Sequence, residues 1–187
     1  MTIIGITGTI GAGKGTIVEY LVQHHHYCHF SVRGYLTRLI NEQNLPLNRD
    51  SMVQVANGLR AQHSPSYIIE ELLREAKASQ KNCIIESIRT VGEITALREQ
   101  PASFFLFAVD AMASLRYKRV VERASETDNI SFETFLENES REMTSTDPNK
   151  QNLAACQQLA DFKFSNNGTF QDLYEQVENV LFSINAQ

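Results

Sequence analysis

Residues 3–16 read Ile-Ile-Gly-Ile-Thr-Gly-Thr-Ile-Gly-Ala-Gly-Lys-Gly-Thr, an apolar run that passes directly into a glycine-rich loop and a lysine. Gly8, Gly13 and Lys14 satisfy the spacing G-x-x-x-x-G-K, and a strand before it with a helix after it is the setting that spacing requires. Ile17, Val18, Leu21 and Val22 recur at helical spacing on one face of the segment that follows. The physical demand is narrow. Backbone N–H groups converge on phosphate oxygens only where no Cβ stands in the way, which glycine allows. The helix N-terminus adds partial positive charge and Lys14 a full one. The expectation is a nucleotide triphosphate site built from Gly8, Gly11, Ala12, Gly13, Lys14, Gly15 and Thr16.

The rest of the chain alternates strand and helix. Strands are expected at Thr2–Thr7, Tyr27–Phe30, Asn82–Glu86, Ser103–Val109 and Asp161–Ser165. Phe104 to Val109 is apolar throughout, and continuous rather than alternating hydrophobicity marks strands covered on both faces of a parallel sheet. Helices are expected at 14–25, 31–41, 49–62, from Ser64-Pro65 through Ala76, 112–124, 131–144, after Asp147-Pro148, and from Phe170 to the end. The predicted architecture is one α/β domain over 1–187, with a five-stranded parallel sheet, right-handed crossovers and flanking helices. In such a sheet ligands sit beyond the C-terminal strand ends. Those ends carry Gly8–Thr16, Ser31–Arg33, Glu86–Arg89, Asp110 and Ser165–Thr169.

Composition narrows the function classes. A hydrophobic fraction of 42% and a charged fraction of 21% exclude a disordered chain. The net charge of −5 argues against broad binding to nucleic-acid backbone. No apolar stretch approaches the roughly 20 residues of a membrane span, and the N-terminus has no basic flank or cleavage site, so the cytoplasm is the expected compartment. Cys28, Cys83 and Cys156 lack metal-ligand spacing and read as buried thiols. His24, His25, His26 and His29 read as a solvated helix end rather than a metal site, because consecutive helical residues diverge.

The residue after Lys14 is Gly15, where a Ser or Thr that holds magnesium usually stands, and the hydroxyl comes one place later at Thr16. Gly-Lys-Gly-Thr resembles the loop of adenylate kinase and related nucleoside monophosphate kinases, within the P-loop nucleotide kinases. The resemblance implies ATP and Mg2+, with the metal held largely by phosphates and water and Thr16 an uncertain ligand. Ser31-Val32-Arg33 resembles the start of the acceptor-binding segment of those enzymes, about residues 31–80, although Ser31 equally suits a helix N-cap. Glu86-Ser87-Ile88-Arg89 resembles their Asp-Gly-x-x-Arg segment, which would have Glu86 orient metal-bound water and Arg89 grip the acceptor; a surface ion pair is the alternative. Arg60 is a further acceptor-side candidate.

Arg116, Arg119 and Arg123 fall at i, i+3 and i+7 of one helix, so they share a face that either meets an anion or is neutralised by Glu122, Glu137, Glu139 and Glu142. With Ser125 to Asn129 and Arg141 they suggest a helical lid over about 116–145, in which Arg116 and Arg123 join Lys14 and Arg89 as catalytic residues. Ala160-Asp161 through Asn166-Asn167-Gly168 resembles the C-terminal segment of dephospho-CoA kinases, which implies that Asn166 and Gly168 lie near the adenine. That family's Asp-x-Asp is absent after the second strand. The function implied is phosphoryl transfer from ATP to a small phosphorylated acceptor, above all a nucleoside or deoxynucleoside monophosphate. Dephospho-CoA kinase, or a regulatory module that binds nucleotide without transfer, are the alternatives. Small-molecule nucleotides are the expected partners, with no membrane and no nucleic acid.

Overall fold

Five strands form one sheet in the computed structural model, which describes residues 1–123 and 130–186. They are β1 (Thr2–Thr7), β2 (Cys28–Ser31), β3 (Cys83–Glu86), β4 (Ser103–Asp110) and β5 (Phe162–Ser165). Every pairing is parallel and the order is β2-β3-β1-β4-β5. The strand that feeds the glycine loop is therefore central, with β3 and β4 as its neighbours. Ile6 lies beside Glu86, and Ser31 beside Glu86 on the other side. One sheet edge thus gathers the ends of all five strands.

The helices are α1 (Lys14–His25), α2 (Val32–Glu42), α3 (Arg49–Gln62), α4 (Tyr67–Ser79), α5 (Val91–Arg98), α6 (Ala113–Arg123), α7 (Phe132–Met143), α8 (Leu153–Gln158) and α9 (Phe170–Asn185). Alternate residues of β1 serve two cores, as the two-residue strand period requires. Ile4 and Ile6 pack with Ile17 and Leu21 of α1 and Leu173 and Val177 of α9. Ile3 packs on the other face with Ile69 and Leu72 of α4 and Ile94 and Leu97 of α5. No helix among the described residues is long and apolar enough to cross a membrane.

Three expectations are corrected. Residues 87–102 hold a whole helix, α5, that the apolar pattern did not suggest, although a parallel crossover demands one. Its start carries a capping box in which Thr90 Oγ1 accepts from Glu93 N and the Glu93 carboxylate accepts from Thr90 N. α4 begins at Tyr67, so Pro65 lies in the turn before it rather than in its first turn. α8 is capped by Asn152, whose side chain accepts from Ala155 N, and not by Asp147. The expected lid loop, Ser125 to Asn129, lies outside the described residues.

Three of the four histidines close α1 as a helix end, whereas His29 lies in β2 and contacts Glu86. His24 and His25 occupy the last turn and His26 is the left-handed cap, with φ 57°. His25 Nε2 contacts Glu178 of α9 at 2.7 Å. No group of three or more potential metal ligands occurs among the described residues. Cys83 and Cys156 are buried free thiols, and Cys28 is half-buried.

Candidate active site

The glycine loop holds its shape through backbone that only glycine tolerates. Gly11 and Gly13 have φ of 74° and 106°, in the left-handed region. A Cβ on Gly13 would stand 2.0 Å from Asn166 Nδ2, and one on Gly11 would stand 2.4 Å from the Arg116 carbonyl. Asn166 explains the first approach. Buried just past β5, it donates from Nδ2 to the Ala12 carbonyl at 2.9 Å, clamping the loop from the far side of the sheet. Lys14, the first residue of α1, donates from Nζ to the carbonyls of Gly8 (2.9 Å) and Thr9 (2.8 Å).

A cleft opens beside the loop, lined by Gly13, Gly15, Thr16, Arg119, Asn166 and Phe170 among others. Arg119 donates from Nη2 to the Asn166 carbonyl, while its Nη1 is buried and makes no hydrogen bond with the described residues. Phe170 is 65% exposed at the start of α9. An apolar ring, a buried guanidinium donor and the glycine loop thus line one cleft, a mixture of groups that suits a nucleotide's flat base and its phosphates.

A second cleft lies on the β2–β3 side. Its apolar wall is Val32, Leu36, Met52, Val53 and Ala56; Arg33, Arg49 and Arg89 supply positive charge. Arg49 Nη2 donates to Glu142 Oε1 at 2.5 Å and Arg89 Nη1 to Glu142 Oε2 at 2.6 Å, so one carboxylate bridges two guanidinium groups. Glu142 is 3% exposed. Burial pushes its carboxyl up, but the charges of Arg89 and Arg49 outweigh that and hold it below the usual range.

Arg89 is fixed by groups far from it in sequence. Its backbone N–H donates to Glu93 Oε2 at 2.7 Å, its Nη1 also donates to Gln151 Oε1, and its carbonyl accepts from Asn152 N. Glu93 is fully buried, and its Oε1 accepts from Arg60 Nε (3.1 Å) and Nη2 (2.7 Å). Glu93 is therefore the keystone beneath Arg89. The stretch Asp147 to Asn152, read from sequence only as a helix start, closes the same network through Gln151 and Asn152.

The two clefts share Gly11, Lys14, Glu86 and Arg123. Burial and the neighbouring Arg89 guanidinium push the Lys14 ammonium down to about 7, against the opposing pull of Glu86 and Glu142. Glu86, at the end of β3, contacts His29 Nε2 at 3.1 Å. Burial raises its pKa, but the His29 hydrogen bond and the Lys14 charge prevail and keep it lowered, hence ionised. A positive and a negative group thus face each other where the clefts meet.

Sequence-derived candidates divide accordingly. Lys14, Gly11, Gly13, Gly15, Thr16, Glu86 and Asn166 assemble at the nucleotide cleft; Arg33, Arg89 and Arg60 line the second. Gly8 and Ala12 shape the loop through their carbonyls. Ser31 caps α2, accepting from Gly34 N at 3.1 Å. Arg60 is 1% exposed and spends two donors on Glu93. Gly168 stands on the exposed turn before α9 and lines neither cleft. The three arginines of α6 part company. Arg116 is buried, paired with Glu139 of α7, and donates to the Ala111 carbonyl and to the Ile10 carbonyl of the glycine loop, so its donors are taken up by α7 and by the loop backbone. Arg119, not Arg116, reaches the nucleotide cleft beside Arg123. Arg49, Glu93, Glu142 and Gln151 were missed; the Thr90-x-x-Glu93 spacing was the one local signal among them.

Comparison with known proteins agrees with this architecture. A UPF0200 protein of Methanococcus maripaludis is 28% identical over 188 residues, covering 98% of both chains. A UPF0200 protein of Pyrobaculum aerophilum is 24% identical over 98% of this chain and 99% of its own. TT1252 from Thermus thermophilus superposes with a TM-score of 0.65 at 20% identity, covering 97% of each chain. Shikimate kinase from Bacteroides thetaiotaomicron gives a TM-score of 0.58 at 12% identity, covering 98% of each chain, and a gluconokinase from Sinorhizobium meliloti gives 0.59 at 13%, covering 97% of each. At such identities these structures speak for the fold, which is that of P-loop kinases. Residues 4–145 match the family described as an AAA domain. By that match the chain belongs to the AAA domain family.

Proposed function

We propose that this chain transfers the terminal phosphoryl group of ATP to a small phosphorylated acceptor, a nucleoside or deoxynucleoside monophosphate above all. The supporting observation is that two clefts of different character meet at Lys14, Glu86, Gly11 and Arg123. A donor with a base and phosphates suits one; an acceptor with an anionic head suits the other. Transfer between them needs little covalent chemistry from the protein, only position and countercharge.

Lys14 would exchange its two carbonyl partners for β- and γ-phosphate oxygens, with the loop amides around them. Arg89 and Arg33 would hold the acceptor, and Arg123 would face the charge that spreads over the equatorial oxygens in the transition state. The helical segment α6–α7 would act as a lid that excludes water. An acceptor phosphate already near full ionisation needs no strong base. The ionised Glu86 carboxylate and the Thr16 hydroxyl, both lining the nucleotide cleft, are hard oxygen donors of the kind Mg2+ takes. Such an ion would supply charge neutralisation across the phosphates.

One observation favours a second acceptor type. Glu86 lies directly beside Ser31 across β2 and β3, so a carboxylate is at hand where a hydroxyl acceptor, as in dephospho-CoA, would need a base.

The test is ADP release from MgATP against a panel of ribo- and deoxyribonucleoside monophosphates plus dephospho-CoA. One monophosphate should stimulate release, and Lys14→Ala should lower kcat/KM by at least about 10²–10³-fold with the fold intact. Stimulation by dephospho-CoA alone would replace the first acceptor class with the second. Silence from every acceptor with ATP binding retained would mean a nucleotide-binding module without transfer.

A further inference from the structure

Glu142 is a buried carboxylate in the middle of a cationic cleft, and the reading of that cleft as an acceptor site gives it no role. Its two oxygens each take one guanidinium, Arg49 at 2.5 Å and Arg89 at 2.6 Å. This is how an anionic ligand head would be gripped. Arg49 Nε, also buried, makes no hydrogen bond with the described residues although Arg49 lines the cleft. A guanidinium with an unused buried donor indicates that one more acceptor atom belongs there. Glu142 sits in the last turn of α7, whose neighbouring Arg141 reaches Asp50 at 3.2 Å. The end of α7 is thereby pinned to the start of α3, and the pin passes through the arginines of the cleft.

Resting on the acceptor reading above, we infer that Arg49 joins Arg89 as a ligand of the acceptor's anionic group, and that Glu142 is a tethered competitor which sets the charge that group must carry. A single external carboxylate offers the two arginines nothing that Glu142 does not already give. Glu142 has the further advantage of being attached, so its effective concentration is high. A phosphate monoester dianion differs. It brings a second negative charge to two positive groups, and a third oxygen within reach of Arg49 Nε. Dianions therefore displace Glu142 and monoanions do not. When Glu142 leaves, the end of α7 loses its hold on Arg49 and Arg89, so acceptor entry and the position of α7 are coupled.

The probes are sulfate as a dianion and acetate as a monoanion, titrated calorimetrically with the phosphate loop filled by ADP, and again in Lys14→Ala without nucleotide. Wild type should bind sulfate and show no acetate binding. Glu142→Gln should bind sulfate at least tenfold more tightly and acquire measurable acetate binding; Glu142→Asp should keep the wild-type preference. Sulfate affinity that is unchanged or weaker in Glu142→Gln overturns the proposal. If Glu142→Gln does not fold, Arg49→Gln decides: at least a tenfold loss of sulfate affinity supports Arg49 as a ligand, and unchanged affinity overturns it. Failure of the phosphoryl-transfer reading is separately visible, because sulfate discrimination would persist while no acceptor stimulates ADP release.

Discussion

The nucleotide cleft and the acceptor cleft adjoin, yet they are built by different physics. The first is nearly all backbone. Gly8 to Thr16 is one continuous stretch whose shape follows from glycine conformations and whose chemistry follows from amides and one lysine. The second is nearly all side chain. Arg49 comes from α3, Arg89 from beyond β3, Glu142 from α7 and Gln151 from the turn before α8, and buried ion pairs hold them together. A backbone-built site depends on few partners outside its own residues. A site built of side chains depends on every partner in its network, and so it is the more easily broken.

The largest effect should therefore come from beneath the acceptor cleft. Glu93→Ala leaves the Arg60 guanidinium buried without a counter-charge and removes the carboxylate that holds the Arg89 and Thr90 amides. Breaking one side of such a pair costs about 3–5 kcal/mol, which for a domain of this size lowers Tm on the order of 10 °C. Thermal unfolding measures it. Below Tm the variant should still bind ATP but lose acceptor stimulation, separating the two clefts in one protein.

Long-range hydrogen bonds also support the glycine loop, from Thr9 to Asp110, from Arg116 to the Ile10 carbonyl and from Asn166 to the Ala12 carbonyl, and the last of these should give the next effect. Asn166→Ala removes the hydrogen bond to the Ala12 carbonyl at a residue 2% exposed, costing about 1–3 kcal/mol of stability. ATP affinity should fall while sulfate binding at the acceptor arginines is kept. Equal losses at both clefts would show that they are not the independent constructions described above.

These differences also explain what could be read from sequence. The phosphate loop, the parallel sheet and every strand start to within one residue were visible because glycine spacing and continuous apolar runs are local. Glu86 and Arg89 were visible only through a family pattern. Arg49 and Gln151 left no mark, and Glu142 was read only as a partner for the α6 arginines, since a polar residue looks the same in sequence whether it faces solvent or a cleft. Helix α5 was overlooked because Val91–Arg98 spans only eight residues, with a glycine inside it, although its capping box was there to be seen. The arginine face of α6 divides between the two readings given for it, because helical spacing aligns residues but not their partners: Arg116 found Glu139, one of the carboxylates named for it, while Arg119 and Arg123 line the nucleotide cleft.

A smaller effect tests the electrostatics where the clefts meet. With its pKa near 7, Lys14 is mostly neutral at pH 8 and mostly charged at pH 6 in the ligand-free protein. Phosphate binding favours the ammonium and raises that pKa, so ADP binding should take up close to one proton at pH 8 and almost none at pH 6. Calorimetry in buffers of different ionisation enthalpy reads this directly. The same shift makes folding bind fewer protons between pH 7 and the ordinary lysine range, so stability should rise with pH across that window, opposite in sign to a salt-bridged lysine. The weakest effect belongs outside both clefts. Glu178→Gln loosens the exposed contacts of α9 with Tyr20 and His25 and should change stability by less than about 1 kcal/mol.

The most direct test follows the fate of the γ-phosphate itself. ATP labelled there is supplied with the monophosphate that most stimulates ADP release, and the products are separated. Label on the acceptor in wild type, lost in Lys14→Ala, is the predicted result. Label found only as inorganic phosphate, whatever acceptor is present, would contradict transfer between the two clefts.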